Sequence, residues 1–221
     1  MCLFCFSSEE PEPDNMKGKY GAAYAPFLGR PTKFDITMCQ APCKAPGCWC
    51  AAMFCLPCAN FQLRHKALNH VDPGSGWANY NCCQGYYGGC CCLQPGNCCD
   101  SRCPVPCMCL EGCLCPGLAA SVNSMMIRQK YGLGLDRDDV RLIRCSNCLQ
   151  VFACVLGCLS MCCDWDGERA CVQCVDCVAD VTFCCVAACV TAQANHEIKV
   201  REAGGVGTFT AAPGAQGMTR E

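Results

Sequence analysis

Charge and histidine are scarce in this 221-residue sequence: Asp, Glu, Lys and Arg make up 16%, and there are three histidines. With 17 Lys and Arg against 19 Asp and Glu, a nucleic-acid binder held by bulk charge is excluded. The sequence has no Gly-x-Ser-x-Gly, no P-loop and no His-Glu-x-x-His. The familiar hydrolase, nucleotide and metalloprotease chemistries therefore lack a starting point, and the expectation is a non-enzymatic protein. No Asn-x-Ser/Thr sequon occurs. Residues 1–10 carry no basic segment, and their apolar stretch of five residues is too short for a signal-peptide core. These absences point to a cytoplasmic chain, or one attached to a membrane on its cytosolic side, whose cysteines are mostly thiols, metal ligands, lipid-modified groups or small core residues.

What is abundant is cysteine, 32 of them, in a chain that is 52% apolar. That apolar content excludes intrinsic disorder. The cysteines divide by context. Twenty lie at or before Cys115, among many Gly and Pro, and twelve lie beyond it at spacings of a helix. The expected fold class is mainly α: a cysteine-rich, loop-rich N-terminal module followed by a long antiparallel helical hairpin. The segments are an extended arm (1–38), the cysteine-rich module (39–116), a helical region (117–202) and a disordered tail (203–221).

The arm mixes Gly and Pro with Tyr20, Tyr24, Phe27 and Phe34. It shows no period, so it reads as a segment docked across a surface, its own domain first and a protein partner second. In the module, Phe54 to Asn69 is expected to form one short helix, and Asp72-Pro73-Gly74-Ser75-Gly76 a turn. The segment Cys48-Trp49-Cys50…Cys55-Leu56-Pro57-Cys58 has a weak echo in Cys107-Met108-Cys109…Cys113-Leu114-Cys115-Pro116. In the helical region, Leu118 to Tyr131 is a helix closed by Gly132. Asp136 caps a second helix with Asp138 and Asp139 in its first turn, where negative charge favours the macrodipole. Asp164-Trp165-Asp166-Gly167 ends that helix; it reads as an acidic turn, since no closing Glu completes a calcium loop. A third helix runs from Glu168 to Glu202.

Zinc is the cofactor these cysteines suggest. Cys55-x2-Cys58-x6-His65-x4-His70 offers two thiolates on a turn and two imidazoles on the following helix, a donor set for a tetrahedral ion. Cys39, Cys43, Cys48 and Cys50 form a second, all-thiolate candidate. Adjacent cysteines such as Cys82-Cys83 rarely bond each other and imply partners elsewhere in the fold. In the helical region the favoured reading is packing. Cys145, Cys148, Cys154, Cys158 and Cys162 on one helix, and Cys171, Cys174, Cys177, Cys185 and Cys189 on the next, would form facing stripes of small hydrophobes.

Membrane association is the rival reading of the same stretch. Cys145 to Cys163 is 19 residues without a charge, about 28 Å of helix. Arg137, Arg141 and Arg144 precede it and Asp164, Asp166 and Glu168 follow, the asymmetry expected if the first end faces the cytosol. Cys2 and Cys5, among Leu3, Phe4 and Phe6, are candidates for S-acylation (palmitoylation), where two lipid chains anchor stably. A thiol oxidoreductase using Cys55 and Cys58 is the remaining alternative, from the spacing of the two cysteines alone.

Two stretches resemble the PLAC8 family of small cysteine-rich eukaryotic proteins. Phe54-Cys55-Leu56-Pro57-Cys58-Ala59-Asn60-Phe61 is similar to that family's Cys-Pro-Cys segment running into a helix. Ile127-Arg128-Gln129-Lys130-Tyr131-Gly132-Leu133 is similar to its basic-Tyr-Gly-Leu segment. The family's final Cys-x-x-Cys-Gln segment is only approximated by Cys145-Ser146-Asn147-Cys148-Leu149-Gln150. The resemblance covers about 80 residues, leaving out the arm and the third helix. It implies a non-enzymatic, often membrane-associated protein linked to metal transport or tolerance, or to cell-size control.

Overall fold

The structure, a computed structural model, describes residues 25–86, 103–161 and 168–204. Among these the fold is mainly α, as expected from the sequence, with no strand. Seven α-helices follow one another: α1 (Ala41–Lys44), α2 (Pro46–Phe54), α3 (Leu56–Val71), α4 (Pro104–Leu114), α5 (Pro116–Tyr131), α6 (Arg137–Ser160) and α7 (Glu168–Ala203). Short 3-10 turns occupy Ala25–Phe27, Met38–Gln40 and Cys82–Gly85.

Four of these helices lie where the sequence suggested a loop-rich module, and the reason is proline placement. Each of α1 to α5 carries Pro in its first two positions. There its missing N–H costs nothing and its fixed φ suits the helix. The residues at the corners, Ala45, Cys55, Cys103 and Cys115, share one non-helical conformation, φ between −143° and −134° with ψ between 53° and 77°. Three of them directly precede proline, which disfavours the helical region. Proline-rich sequence here makes helix–corner–helix units. The helix expected from Phe54 to Asn69 accordingly begins at Leu56, and Phe54 ends the helix before it.

The faint sequence echo is now visible as geometry. α2, Cys55 and the 16-residue α3 repeat as α4, Cys115 and the 16-residue α5, with α4 and α5 bent by 117°. α3 and α5 pack on each other, and Asn60 and Asn123 lock them together. Asn60 Nδ2 donates to the Pro116 carbonyl at 3.1 Å, and Asn123 Nδ2 donates to the Asn60 carbonyl at 3.2 Å. α7 lies against α1, α2, α3, α5 and α6, so its C-terminal half is the spine of the body.

The described part of the arm belongs to this core. Phe27, Phe34, Ile36 and Met38 are buried, and the Arg128 guanidinium lies 4.2 Å above the Phe34 ring centre. Gly134 is needed where the arm crosses the end of α5: a Cβ there would sit 2.3 Å from the Arg30 carbonyl oxygen. Gly132 closes α5 in the left-handed conformation and Asp136 caps α6 by accepting from the Asp138 N–H, both as the sequence suggested.

α6 and α7 run antiparallel. Ile143 packs in one cluster with Val186 and Val190, and Gln150 Nε2 donates to Asp180 at 3.2 Å. The line of α6 that faces inward is Val140, Ile143, Ser146, Gln150 and Ala153. The expected facing stripes of cysteine are not the interface. Cys145, Cys148, Cys154 and Cys158 on α6, and Cys171, Cys174 and Cys177 on α7, are exposed, while Cys185 and Cys189 are half-buried. Helical spacing gave the correct face but the opposite direction, because Ser146, Gln150 and Ala153 fill the contact instead. Cys162 and the Asp164–Gly167 turn lie outside the described residues.

Candidate functional site

Two features of the described residues carry chemistry or an unusual surface: the ligand-type side chains of the body, and the outer halves of α6 and α7.

The four-ligand zinc set predicted from Cys55, Cys58, His65 and His70 does not assemble. Cys55 and Cys58 are joined in a disulfide. α3 is unbroken from Leu56 to Val71, which carries His65 and His70 about 10 and 18 Å along the axis beyond Cys58. The imidazoles have other partners. His65 faces Trp77 with ring centres 5.1 Å apart and bonds Asn69 at 3.3 Å. His70 bonds the Tyr131 hydroxyl and lies 3.7 Å from a Glu202 oxygen. Burial lowers the pKa of His70 against the opposing pull of Glu202. In the second predicted set, Cys39, Cys43 and Cys50 are exposed and Cys48 is half-buried, its thiol pKa raised by burial. Cys2 and Cys5, the lipidation candidates, lie outside the described residues.

One group of three or more ligand-type side chains does converge among the described residues, and none of the eight predicted ligands is in it. It consists of Cys82, Cys83 and Glu111, whose ligand atoms lie within 4.8 Å of one another. Sequence reasoning marked Cys82-Cys83 as needing a partner. Their ligand atoms lie within 4.8 Å of the Glu111 carboxylate, and the Cys83 backbone N–H bonds it from 28 residues away, which no local spacing signals.

Glu111 belongs to a buried polar network. Its Oε1 accepts from Arg64 Nη2 at 2.6 Å, while Arg64 Nε donates to Asn123 Oδ1. Its Oε2 accepts from the Tyr80 hydroxyl and from the Cys83 backbone N–H, each at 3.0 Å. Arg64 is wholly buried, so this ion pair sits in low dielectric and depends on the hydrogen bonds at Nε and Nη2, while Nη1 is left without a partner.

The outer halves of α6 and α7 are the reverse. Val151, Phe152, Val155 and Leu159 on α6, Met161 just past its end, and Val178 and Val181 on α7 are exposed large apolar side chains. Between them lie the exposed cysteines, and from Cys145 to Met161 there is no charged residue. Both helices are long and apolar enough to cross a membrane, yet the chain itself buries only 22% of the most apolar stretch of α6. The charge-free run from Cys145 to Met161 extends about 25 Å along the axis, and the large apolar side chains from Val151 to Met161 cover about 15 Å of it. Arg137, Arg141 and Arg144 stand at its body end, and the acidic groups inside it are Asp176 and Asp180. No family model, curated protein or solved structure matches this chain.

Proposed function

We propose that this is a non-enzymatic, membrane-attached structural protein: the outer halves of α6 and α7 enter a bilayer, and the helical body is held on its cytosolic face as a binding or scaffolding module. The observation that carries this reading is the exposure of Phe152, Leu159 and their neighbours in a continuous charge-free run. Soluble chains rarely leave a contiguous apolar surface of this extent without a partner. A bilayer fits the length of the charge-free run, about 25 Å against a hydrocarbon core of about 30 Å. The arginines at its body end sit on the side the positive-inside rule assigns to the cytosol. Exposed cysteine is compatible with lipid, since a thiol is a small apolar group. The PLAC8 resemblance points the same way, towards a non-enzymatic, membrane-associated protein.

Fractionation tests it. The full chain should stay with membranes through an alkaline carbonate wash, and charged substitutions at Phe152 or Leu159 should release it. A chain recovered in the soluble fraction as a folded monomer ends the proposal.

A second reading has one observation in its favour. The Cys55–Cys58 disulfide lies at the start of α3, with Cys58 exposed, where an external dithiol could reduce it by exchange and be oxidised in return. Replacing both cysteines by Ser should abolish turnover of a model disulfide if that is the activity, and change nothing if the bond is structural.

A further inference from the structure

We propose that Cys82, Cys83 and Glu111 form a binding site for one divalent, thiophilic cation of the zinc type, which fastens the loop at residues 72–86 onto α4. The site is independent of the membrane reading, since it lies wholly in the body.

The donors are already gathered. Their ligand atoms lie within 4.8 Å of one another. A tetrahedral zinc with bonds of about 2.0 to 2.3 Å sets its ligands roughly 3.5 Å apart, so small rotamer changes close the shell. Gathering them has required an unusual backbone. Along an extended chain, neighbouring side chains point to opposite sides. Here the 3-10 turn Cys82–Gly85 holds Cys83 and Gln84 at φ 48°, a left-handed conformation that residues with side chains seldom adopt. Both thiols thereby reach the same carboxylate.

That carboxylate is held in place by groups that are not themselves ligands. Tyr80 and the Cys83 N–H fix Oε2, and Arg64 fixes Oε1. A carboxylate has about four lone-pair positions. Three are used, and one is left for a cation. Oriented outer-shell partners of this kind are what a metal-ligating carboxylate needs.

Charge selects the valence. Two thiolates and Glu111 sum to −3, Arg64 returns +1, and a divalent ion brings the buried group to zero. A monovalent ion would leave a net negative charge beside the wholly buried Arg64 and the nearly buried Glu111. Binding as thiolates should release the thiol protons and tighten as pH rises. Cys82 and Cys83 are half-exposed, so the fourth position is open to water.

Cobalt(II), a spectroscopic stand-in for zinc, is the probe. The full chain, reduced and stripped of metal, should take up one tight cobalt equivalent with thiolate-to-metal charge-transfer absorption. The double variant Cys82→Ser/Cys83→Ser should lose that equivalent. Cys109→Ser/Cys113→Ser, at exposed positions of α4, the helix that carries Glu111, should keep it. Tyr80→Phe removes only the hydroxyl on Glu111 and should weaken binding by roughly 10- to 100-fold with helix content unchanged; it carries the test if the double variant does not fold. Cobalt binding of wild-type stoichiometry and affinity in either the Cys82/Cys83 or the Tyr80 variant overturns the site.

Discussion

The body buries its large apolar side chains, Phe27, Met38, Met125 and Ile127 among them, whereas the outer halves of α6 and α7 leave theirs outside. In the body, charge and polarity are inside: Arg64, Glu111, Asn60, Asn123, Asp139, Gln193 and Glu197 are all buried, and all have hydrogen-bond partners. In the outer halves, the large apolar side chains are outside and the inward line is Ser146, Gln150 and Ala153. The same helix changes rule along its length. α7 is the spine of the body from Phe183 to Ile198, yet presents Val178 and Val181 to the surroundings within the turn and a half before it. The uncovered valines belong to the surface that the membrane proposal assigns to lipid.

The largest expected effect lies in the body. Arg64→Met leaves Glu111 buried without its counter-ion, and losing one partner of such a pair costs about 3–5 kcal/mol. Chemical denaturation in detergent should show that loss, while whatever protein remains folded stays in the membrane fraction. Equal loss of both properties would erase the distinction between the two regions.

Phe152→Arg probes the other side. Phe152 is 56% exposed, so folding stability in detergent should move by no more than about 0.5 kcal/mol. Insertion, by contrast, should lose about 2.5–3.5 kcal/mol for an arginine near the bilayer centre, read as release during carbonate extraction. If the Phe152→Arg variant is retained as well as the parent, this face does not meet lipid.

How much of this was legible in the sequence follows the same division. α5, α6 and α7 could be read nearly residue by residue, because Gly132, Asp136 and the acidic first turn of α6 are local signals acting on a long periodic pattern. α1, α2 and α4 were hidden, because Pro and Gly read as loop when Pro42, Pro46 and Pro104 in fact open helices. The Cys faces of α6 and α7 were legible as faces, but period alone does not say which side is inward. Cys55 and Cys58 were legible as a pair and not as a bonded one. The convergence of Cys82 and Cys83 on Glu111 depends on a left-handed turn at non-glycine residues, which sequence preferences argue against.

A smaller effect is expected from pH. His70 sits where α3, Tyr131 of α5 and Glu202 of α7 meet. Its pKa is lowered in the fold by burial, so the unfolded chain binds the proton more readily. The stability it supports is present above its unfolded value of about 6.5 and is lost as pH falls through that value to the lower folded one. The urea midpoint of the body should fall between pH 7 and pH 5, and His70→Gln should flatten that part of the slope. An unchanged slope would place the acid sensitivity elsewhere.

The smallest effect, and the finest division between the regions, concerns Gln150 and Asp180. Their 3.2 Å hydrogen bond is a polar contact between α6 and α7 within the apolar stretch. In water such a half-buried neutral–charged pair contributes only modestly. Between helices in a bilayer, polar pairs average only about 0.6 kcal/mol as well, because side chains left unpaired find other partners. Energy therefore does not separate the two settings, but consequence does. Gln150→Leu leaves Asp180 without its amide donor, and in lipid the carboxyl can recover a partner from a second copy of the chain, whereas in water it is simply hydrated. Cross-linking of the purified protein in micelles should show more dimer for Gln150→Leu than for the parent, and Gln150→Leu/Asp180→Leu should return to the parental level. If the single variant stays monomeric, Asp180 is already hydrated, and the bilayer boundary must lie on the far side of it from the body.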